Sequence, residues 1–370
     1  GINLWKDVIN AYSREGMEAR AFAFFMGFGS LLMRFTNLDG FLLNLLSRES
    51  GSGKTTVLHA INSIYGRPKE LLMSPKDTYN FRMQRLGTLQ NLCGTIDEIT
   101  NMPPEQMSNQ VYDVTSGKGK NRMKSQDNAE RLNHTKWATG LITTSNRSLR
   151  DDLLSIKAFP EGELMRMMEL HIFNDANDDP LWARQHFSRL HTNYGHAIFP
   201  FMQYVMQNLE ECRTLFLQTQ ERIDKAAGLS QPHRFWSVQA ASSITGLLIA
   251  KRIGLIKYNV ANIVAWLIKV IERQKQEIET MSGTLEDTLT SYLAENYNNI
   301  LRIKSTDDSR SGDGMLEHLM IPDATPRMSL VARYEYDVKR MYLLPKPLRE
   351  WCTKQQINYQ NLVDSLKTGS

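Results

Sequence analysis

The rhythm of hydrophobic and polar positions changes three times along this chain. Residues 1–39 carry apolar positions at mixed, helix-like spacing, with Gly27 and Gly29 as expected breaks. Residues 40–173 alternate short, nearly unbroken apolar runs with helical segments. The runs at 40–47, 92–97, 138–145 and 167–173 predict strands, with a further short one near Glu70–Ser74. Unbroken apolar runs belong to strands covered on both faces, and strands alternating with helices imply a parallel sheet. Residues 174–281 read as helices, with one-face apolar spacing in Val238–Leu248 and Ile263–Ile271. Residues 282–370 open a new unit at Ser282-Gly283, with a helix at Thr288–Glu295 and a Ser/Asp/Gly loop at Ser305–Gly314. Short strands at Ser329–Tyr334 and Arg340–Leu344 follow, then helices at Leu348–Gln355 and Tyr359–Leu366. That order is similar to a small winged-helix module. The expected fold class is α/β, a parallel sheet flanked by helices, preceded by a helical segment and followed by a helical region and a small α+β domain. The expected domain limits are 1–39, 40–173, 174–281 and 282–370.

The most informative stretch is Arg48–Thr56, Arg-Glu-Ser-Gly-Ser-Gly-Lys-Thr-Thr. It follows the apolar run Phe41–Leu46 and opens the helical segment Val57–Ile61. Strand, glycine loop, Lys-Thr and helix is the layout of a phosphate-binding loop. Gly51 and Gly53 let successive N–H groups converge on one concavity, and the helix N-terminus adds positive potential. Lys54 places an ammonium on the outer phosphates, and Thr55 offers a hydroxyl to a phosphate-bound Mg²⁺. Gly51, Ser52, Gly53, Lys54, Thr55 and Thr56 are the expected nucleotide contacts. The full pattern wants glycine six residues before the lysine, where this chain has Arg48. The bland alternative is a Gly/Ser surface turn before an amphipathic helix.

Composition narrows the class. Of the 370 residues, 41% are hydrophobic and 23% charged, so the chain can bury a core, and its length implies two or three units. The longest apolar run, Ala21–Met33, is too short to span a bilayer and is flanked by Arg20 and Arg34, so no membrane association is expected. Cys93, Cys212 and Cys352 are odd in number and far apart, which gives no disulfide framework, no zinc spacing and a reducing, cytoplasmic setting. The start at Gly1 rather than Met suggests processing or excision from a longer polypeptide. Net charge is +4, and residues 117–136 alone carry that excess through Lys118, Lys120, Arg122, Lys124, Arg131 and Lys136 against Asp127 and Glu130. A concentrated basic segment in a near-neutral chain suggests a polyanion partner, although a solvated loop has the same composition.

The expected chemistry follows from order along the chain. Asp97 ends an apolar strand and is placed to hold the Mg²⁺ shell, and Glu98 directly after it can orient and deprotonate water. Asn146 ends the run Gly140–Ser145. If that strand lies between the loop strand and the Asp97 strand, Asn146 comes near the γ-phosphate. Arg166 precedes the 167–173 strand and is the preferred candidate for an arginine supplied to a neighbour's phosphate, with Arg147, Arg150 and Lys157 as rivals and a surface salt bridge to Glu163 or Glu169 as the alternative. Residues 117–122 are expected to form a hairpin tip whose Lys118, Lys120 and Arg122 meet the phosphates of a single strand. His171, His191 and His196 form no ligand set. Trp137, Trp182 and Trp236 read as packing anchors, and base stacking by Tyr112 or Trp137 is the lesser alternative.

These motifs, in this order, resemble superfamily 3 helicases of the AAA+ class, and more closely phage and plasmid DUF927-type primase-helicase ATPases. The resemblance includes Trp5, Gly27–Ser30, Ser50–Thr56, Tyr65-Gly66, Asp97–Met102, Gly117–Arg122, Thr144–Asn146 and Arg166. It is strongest over residues 40–173, and Arg333–Glu335 and Trp351-Cys352 extend it more loosely. It implies an AAA+ core, a homo-hexameric ring, ATP hydrolysis with Mg²⁺ between subunits, and 3′ to 5′ translocation on single-stranded DNA in the cytoplasm, the host's if the chain is phage-encoded. An N-terminal primase-polymerase often precedes such a motor. The competing expectations are a nucleotide-binding loader or scaffold that does not unwind DNA, and a small-molecule phosphotransferase, for which no lid or acceptor motif stands out.

Overall fold

A computed structural model describes residues 1–119, 122–123, 130–131, 135–157, 160–174, 179–281, 285–303, 328–355, 357 and 359–368. The chain divides into two compact units, one of Gly1–Ile156 with Pro160–Gln276, the other of Glu277–Ser370 with Lys157–Phe159. The first contains strands β1 (Gly40–Leu46), β2 (Leu72–Met73), β3 (Gly94–Ile96), β4 (Arg122–Met123), β5 (Glu130–Arg131), β6 (Thr139–Ser145) and β7 (Met167–His171). Five of them make a parallel sheet in the order β2-β3-β6-β1-β7. Every residue of β1 and β6 is buried, because helices cover both faces. The four main strands fall within the expected runs, and β2 lies within the short one expected near Glu70–Ser74.

One face of the sheet packs Leu42, Ile96, Leu141 and Met167 against Met83, Leu86, Val111, Trp137, Leu149 and Leu153. The other is covered by the helices Glu18–Ser30, Lys54–Ser63 and Arg234–Arg252. The centre of the sheet is not wholly apolar. Asn44 on β1 donates to Ser145 Oγ on β6 and to Glu169 Oε2 on β7, both at 2.8 Å, while Thr143 Oγ1 donates to Asn44 Oδ1 at 3.0 Å. Glu169 is completed by Ser148 Oγ (2.7 Å) and the Leu149 N–H (2.9 Å) at the start of the helix Leu149–Leu154. A buried carboxylate is costly unless its oxygens are bonded. This one fixes the register of three strands and the path of the chain after β6.

Gly27 and Gly29 do not break the N-terminal helix. They lie inside Glu18–Ser30, which is buried almost throughout. A Cβ on Gly29 would stand 2.5 Å from the Ser242 carbonyl group, so the glycine is what lets this helix meet Arg234–Arg252 backbone to backbone. The apolar run Ala21–Met33 is therefore a core segment of a globular unit. Among the described residues no helix is long and apolar enough to cross a membrane. Trp137 and Trp236 are buried anchors, donating to the carbonyls of Val114 and Met167. Trp182 differs from expectation: it is exposed, stacked on His186 with the Arg14 guanidinium over its ring.

The second unit is a three-stranded mixed sheet, β10-β9-β8, of β8 (Ile300–Ile303), β9 (Ala332–Glu335) and β10 (Arg340–Leu343), of which β8 has no counterpart in the expected elements. Its core joins Tyr292, Ile300, Ala332, Leu348, Trp351, Cys352 and Leu362. The expected loop at 305–314 and start at 282–283 lie outside the described residues.

Gly29→Ala is expected to lower the melting temperature. Alanine gains about 1 kcal/mol of helix propensity but forces apart two packed backbones, an overpacking cost of about 1–3 kcal/mol. An unchanged or raised melting temperature in calorimetry would contradict this close approach.

Candidate nucleotide-binding site

The carboxyl end of β1 runs into the glycine loop, and the helix Lys54–Ser63 begins at Lys54. Gly51 (φ +79°) and Gly53 (φ +81°) occupy left-handed backbone that side chains disfavour, which explains why the turn needs glycine at both positions. Thr56 is half-buried in the first helical turn, and Arg48, in place of the usual glycine, is exposed. Ser52 Oγ is buried with no hydrogen-bond partner among the described residues, an oxygen left for a ligand.

Lys54 is 8% exposed. Its ammonium donates to the Ser47 carbonyl at 2.8 Å and to Asn146 Oδ1 at 2.7 Å. Burial pulls its pKa down, with Glu98 and Asp97 opposing the shift. Asn146 Nδ2 in turn donates to Glu98 Oε2 at 2.8 Å, and the Asn146 N–H donates to Thr100 Oγ1 at 2.8 Å. Lysine, amide and carboxylate thus form one chain of hydrogen bonds across the ends of β1, β6 and β3. The strand order makes it possible, since β6 lies between β1 and β3.

A second chain runs beside it. Thr55 Oγ1 donates to Asp97 Oδ2 at 2.9 Å, and Thr144 Oγ1 donates to Asp97 Oδ1 at 2.6 Å. Thr144 also accepts the Glu98 N–H at its hydroxyl (2.7 Å) and the Ile99 N–H at its carbonyl (2.8 Å). Glu98 sits at φ +56°, an uncommon conformation for a non-glycine residue, held by these bonds. One hydroxyl and one carboxylate suit a cation that keeps most of its waters and shares phosphate oxygens, as Mg²⁺ does. Among the described residues no group of three His, Cys, Asp or Glu side chains could hold a metal alone.

The structure brings Lys54, Thr55, Asp97, Glu98 and Asn146 together. Arg166 is elsewhere. It precedes β7, and its carbonyl accepts the Leu42 N–H at the amino end of β1, about 13 Å of strand from the loop at ~3.3 Å per residue. Its guanidinium lies between the rings of Tyr112 and Phe235, at 4.7 and 5.1 Å, and donates to the Gly162 carbonyl at 2.6 Å. This is a cation–π sandwich rather than a salt bridge to Glu163, which instead accepts from Ser108 and Tyr112. Arg147, a rival, is paired with Asp152 at 2.8 Å.

The basic segment is a hairpin, but its tip is not at 117–122. Lys118 bridges Lys136, Arg122 pairs with Arg131 and Met123 with Glu130, so the antiparallel pairing continues past the expected tip; residues 120–121 and 124–129 lie outside the described residues. Lys118 is exposed. Lys120 lies outside the described residues, as does the side chain of Arg122.

Sequence reasoning missed Thr144, which holds both acidic residues. The signal was available: Thr143-Thr144-Ser145 puts three hydroxyls in a buried strand, and each needs a partner.

Residues 2–134 match the family model described as a domain of unknown function, DUF927. The DUF927 resemblance read from the sequence is borne out over that segment. The structure is similar to a solved chain titled "SCCmec type IV Cch - active helicase", with a TM-score of 0.71 at 16% identity. The match covers 100% of this chain and 66% of that one, so the chain spans just under two thirds of the neighbour's length. At that identity the likeness establishes a shared α/β fold. No curated protein matches the sequence.

Thr144→Val removes one donor to Asp97 and one acceptor for the Glu98 N–H. A loss of about 1–3 kcal/mol of stability is expected, read as a lower denaturant midpoint. A midpoint equal to the parent's would mean these bonds contribute nothing.

Proposed function

We propose that this chain is an ATP-hydrolysing motor that moves on single-stranded DNA and opens duplex, working as a ring of identical subunits, a hexamer by family resemblance. The observation that carries this reading is the hydrogen-bond chain Lys54–Asn146–Glu98 at the mouth of the glycine loop. It links the phosphate-binding cation, a polar sensor and a candidate base. In the resting protein the lysine is held by Ser47 and Asn146. An incoming γ-phosphate offers it a better partner, and Asn146 is then free to reorient with Glu98. Thr55 and Asp97 would hold Mg²⁺, which would supply charge neutralisation on the phosphates. Glu98 orients and deprotonates the attacking water, with Thr144 fixing its backbone. Arg166, at the end of the sheet away from its own loop, suits a group that serves a neighbouring subunit, on leaving the Tyr112–Phe235 sandwich. Arg147, largely exposed and paired with Asp152, is the rival.

The hairpin register supports the nucleic-acid part. Lys118 lies opposite Lys136, and both are exposed. Like charges directly opposite destabilise a ribbon, and a bound polyanion relieves the repulsion. No motif in the described chain calls for a small-molecule acceptor.

Lys54→Ala is expected to abolish ATP turnover and opening of a forked duplex, with normal turnover contradicting the site. An ATPase stimulated by single strands that never opens a fork would favour the loader or scaffold instead. Lys118→Ala combined with Lys136→Ala is expected to weaken single-strand binding and to flatten its log–log salt dependence by about 1.4, from ~0.7 per lost phosphate contact, while leaving ATP affinity unchanged. An unchanged slope in fluorescence titrations would return the hairpin to a solvated loop.

A further inference from the structure

The chain buries a second cation against the same loop, from a helix outside the motif. Arg20, on Glu18–Ser30, is 6% exposed. Its Nη2 donates to the Ser52 carbonyl at 2.9 Å and to the Phe173 carbonyl at 2.7 Å, and Nη1 approaches Met17 Sδ at 3.4 Å. A Cβ built on Gly53 would lie 3.8 Å from Arg20 Nε, so the guanidinium runs along the outer side of the turn.

The planarity of the peptide group gives this contact a consequence. In a trans peptide the carbonyl and the following N–H point in opposite directions. Drawing the Ser52 oxygen outward to Arg20 turns the Gly53 N–H inward, toward the concavity. Glycine at φ +81° is where such a peptide could otherwise flip at little cost. The guanidinium needs oxygens to offset its burial, and it takes two main-chain carbonyls from different parts of the chain. One belongs to the loop and the other to the segment leaving β7, which lies beside β1 in the sheet.

We propose that Arg20 is a positioning residue of the nucleotide loop. It holds the Ser52–Gly53 peptide so that the Gly53 N–H faces a phosphate, and it ties that orientation to the chain leaving β7. The role rests on the nucleotide-binding reading above. Arg20 itself does not touch the nucleotide. Its effect is confined to the phosphate end of the ligand, and a lysine, whose single ammonium lacks the planar fork, replaces it only in part.

The test is titration calorimetry of the full chain with ADP and Mg²⁺, and with inorganic pyrophosphate, alongside melting temperatures. Arg20→Met is expected to weaken both ligands by about tenfold or more, equally, and Arg20→Lys to weaken them several-fold. Phe22→Leu, a core change on the same helix, serves as the stability control and is expected to bind both ligands within twofold of the parent even where its melting temperature falls. If Arg20→Met does not fold, Arg20→Lys carries the comparison. Binding within twofold of the parent in the folded Arg20 variants overturns the proposal, as does an equal affinity loss in Phe22→Leu. These outcomes leave the nucleotide site standing. A parent chain that binds neither ligand removes the site itself, and the role of Arg20 with it.

Discussion

A lysine ammonium buried at the end of a parallel strand is the constraint around which this molecule is arranged. Lys54 cannot be taken from water without oxygens to receive its protons. The protein supplies them from the Ser47 carbonyl and the Asn146 side chain. Both positions depend on the strand order, because only β6 beside β1 brings residue 146 to the loop. The buried Asn44–Glu169 network pins that neighbourhood by joining β6, β1 and β7 at one level and capping the helix after Asn146. Polar groups in the sheet centre thus set the geometry, and the apolar faces hold it in place.

The same logic explains how the acidic pair is presented. Asp97 and Glu98 leave a three-residue strand, too short to position two carboxylates by itself. Thr144 does so from the neighbouring strand, binding the carboxylate of one and the backbone of the other. The unusual φ of Glu98 turns its side chain to Asn146. In the proposed function, lysine, amide and carboxylate exchange partners when a phosphate enters, which would give the site two states and a means of biasing between them.

Much of this was legible in the residues. The strands β1 and β6 announce themselves as apolar runs buried on both faces, and Gly51, Gly53 and Lys54 require a turn that few other sequences need. Long-range pairing was not legible. Nothing local says that Arg20 folds back to residue 52, since a basic residue at the edge of an apolar run usually ends in solvent. Gly27 and Gly29 suggested a break because what each packs against is distant in sequence: Ile61 and Ile64 for Gly27, and Ser242, more than 200 residues on, for Gly29. The hairpin tip was misplaced for a related reason: glycines at 117 and 119 imply a turn, whereas Arg122 and Met123 are still paired with Arg131 and Glu130. Arg166 was singled out by position, but the aromatic rings from two other helices that hold it could not be inferred from its own neighbours.

The central claim is that the ammonium of Lys54 exchanges Ser47 and Asn146 for a phosphate, and that this frees Asn146 to move with Glu98. The most direct test is a high-resolution structure of the chain with Mg²⁺, ADP and aluminium fluoride as the transferring phosphate. The account predicts Lys54 Nζ on the phosphate oxygens, Thr55 and Asp97 about the metal, and Asn146 turned from the lysine toward the fluoride group. Nucleotide bound away from the glycine loop, with Lys54 still on the Ser47 carbonyl, would contradict it.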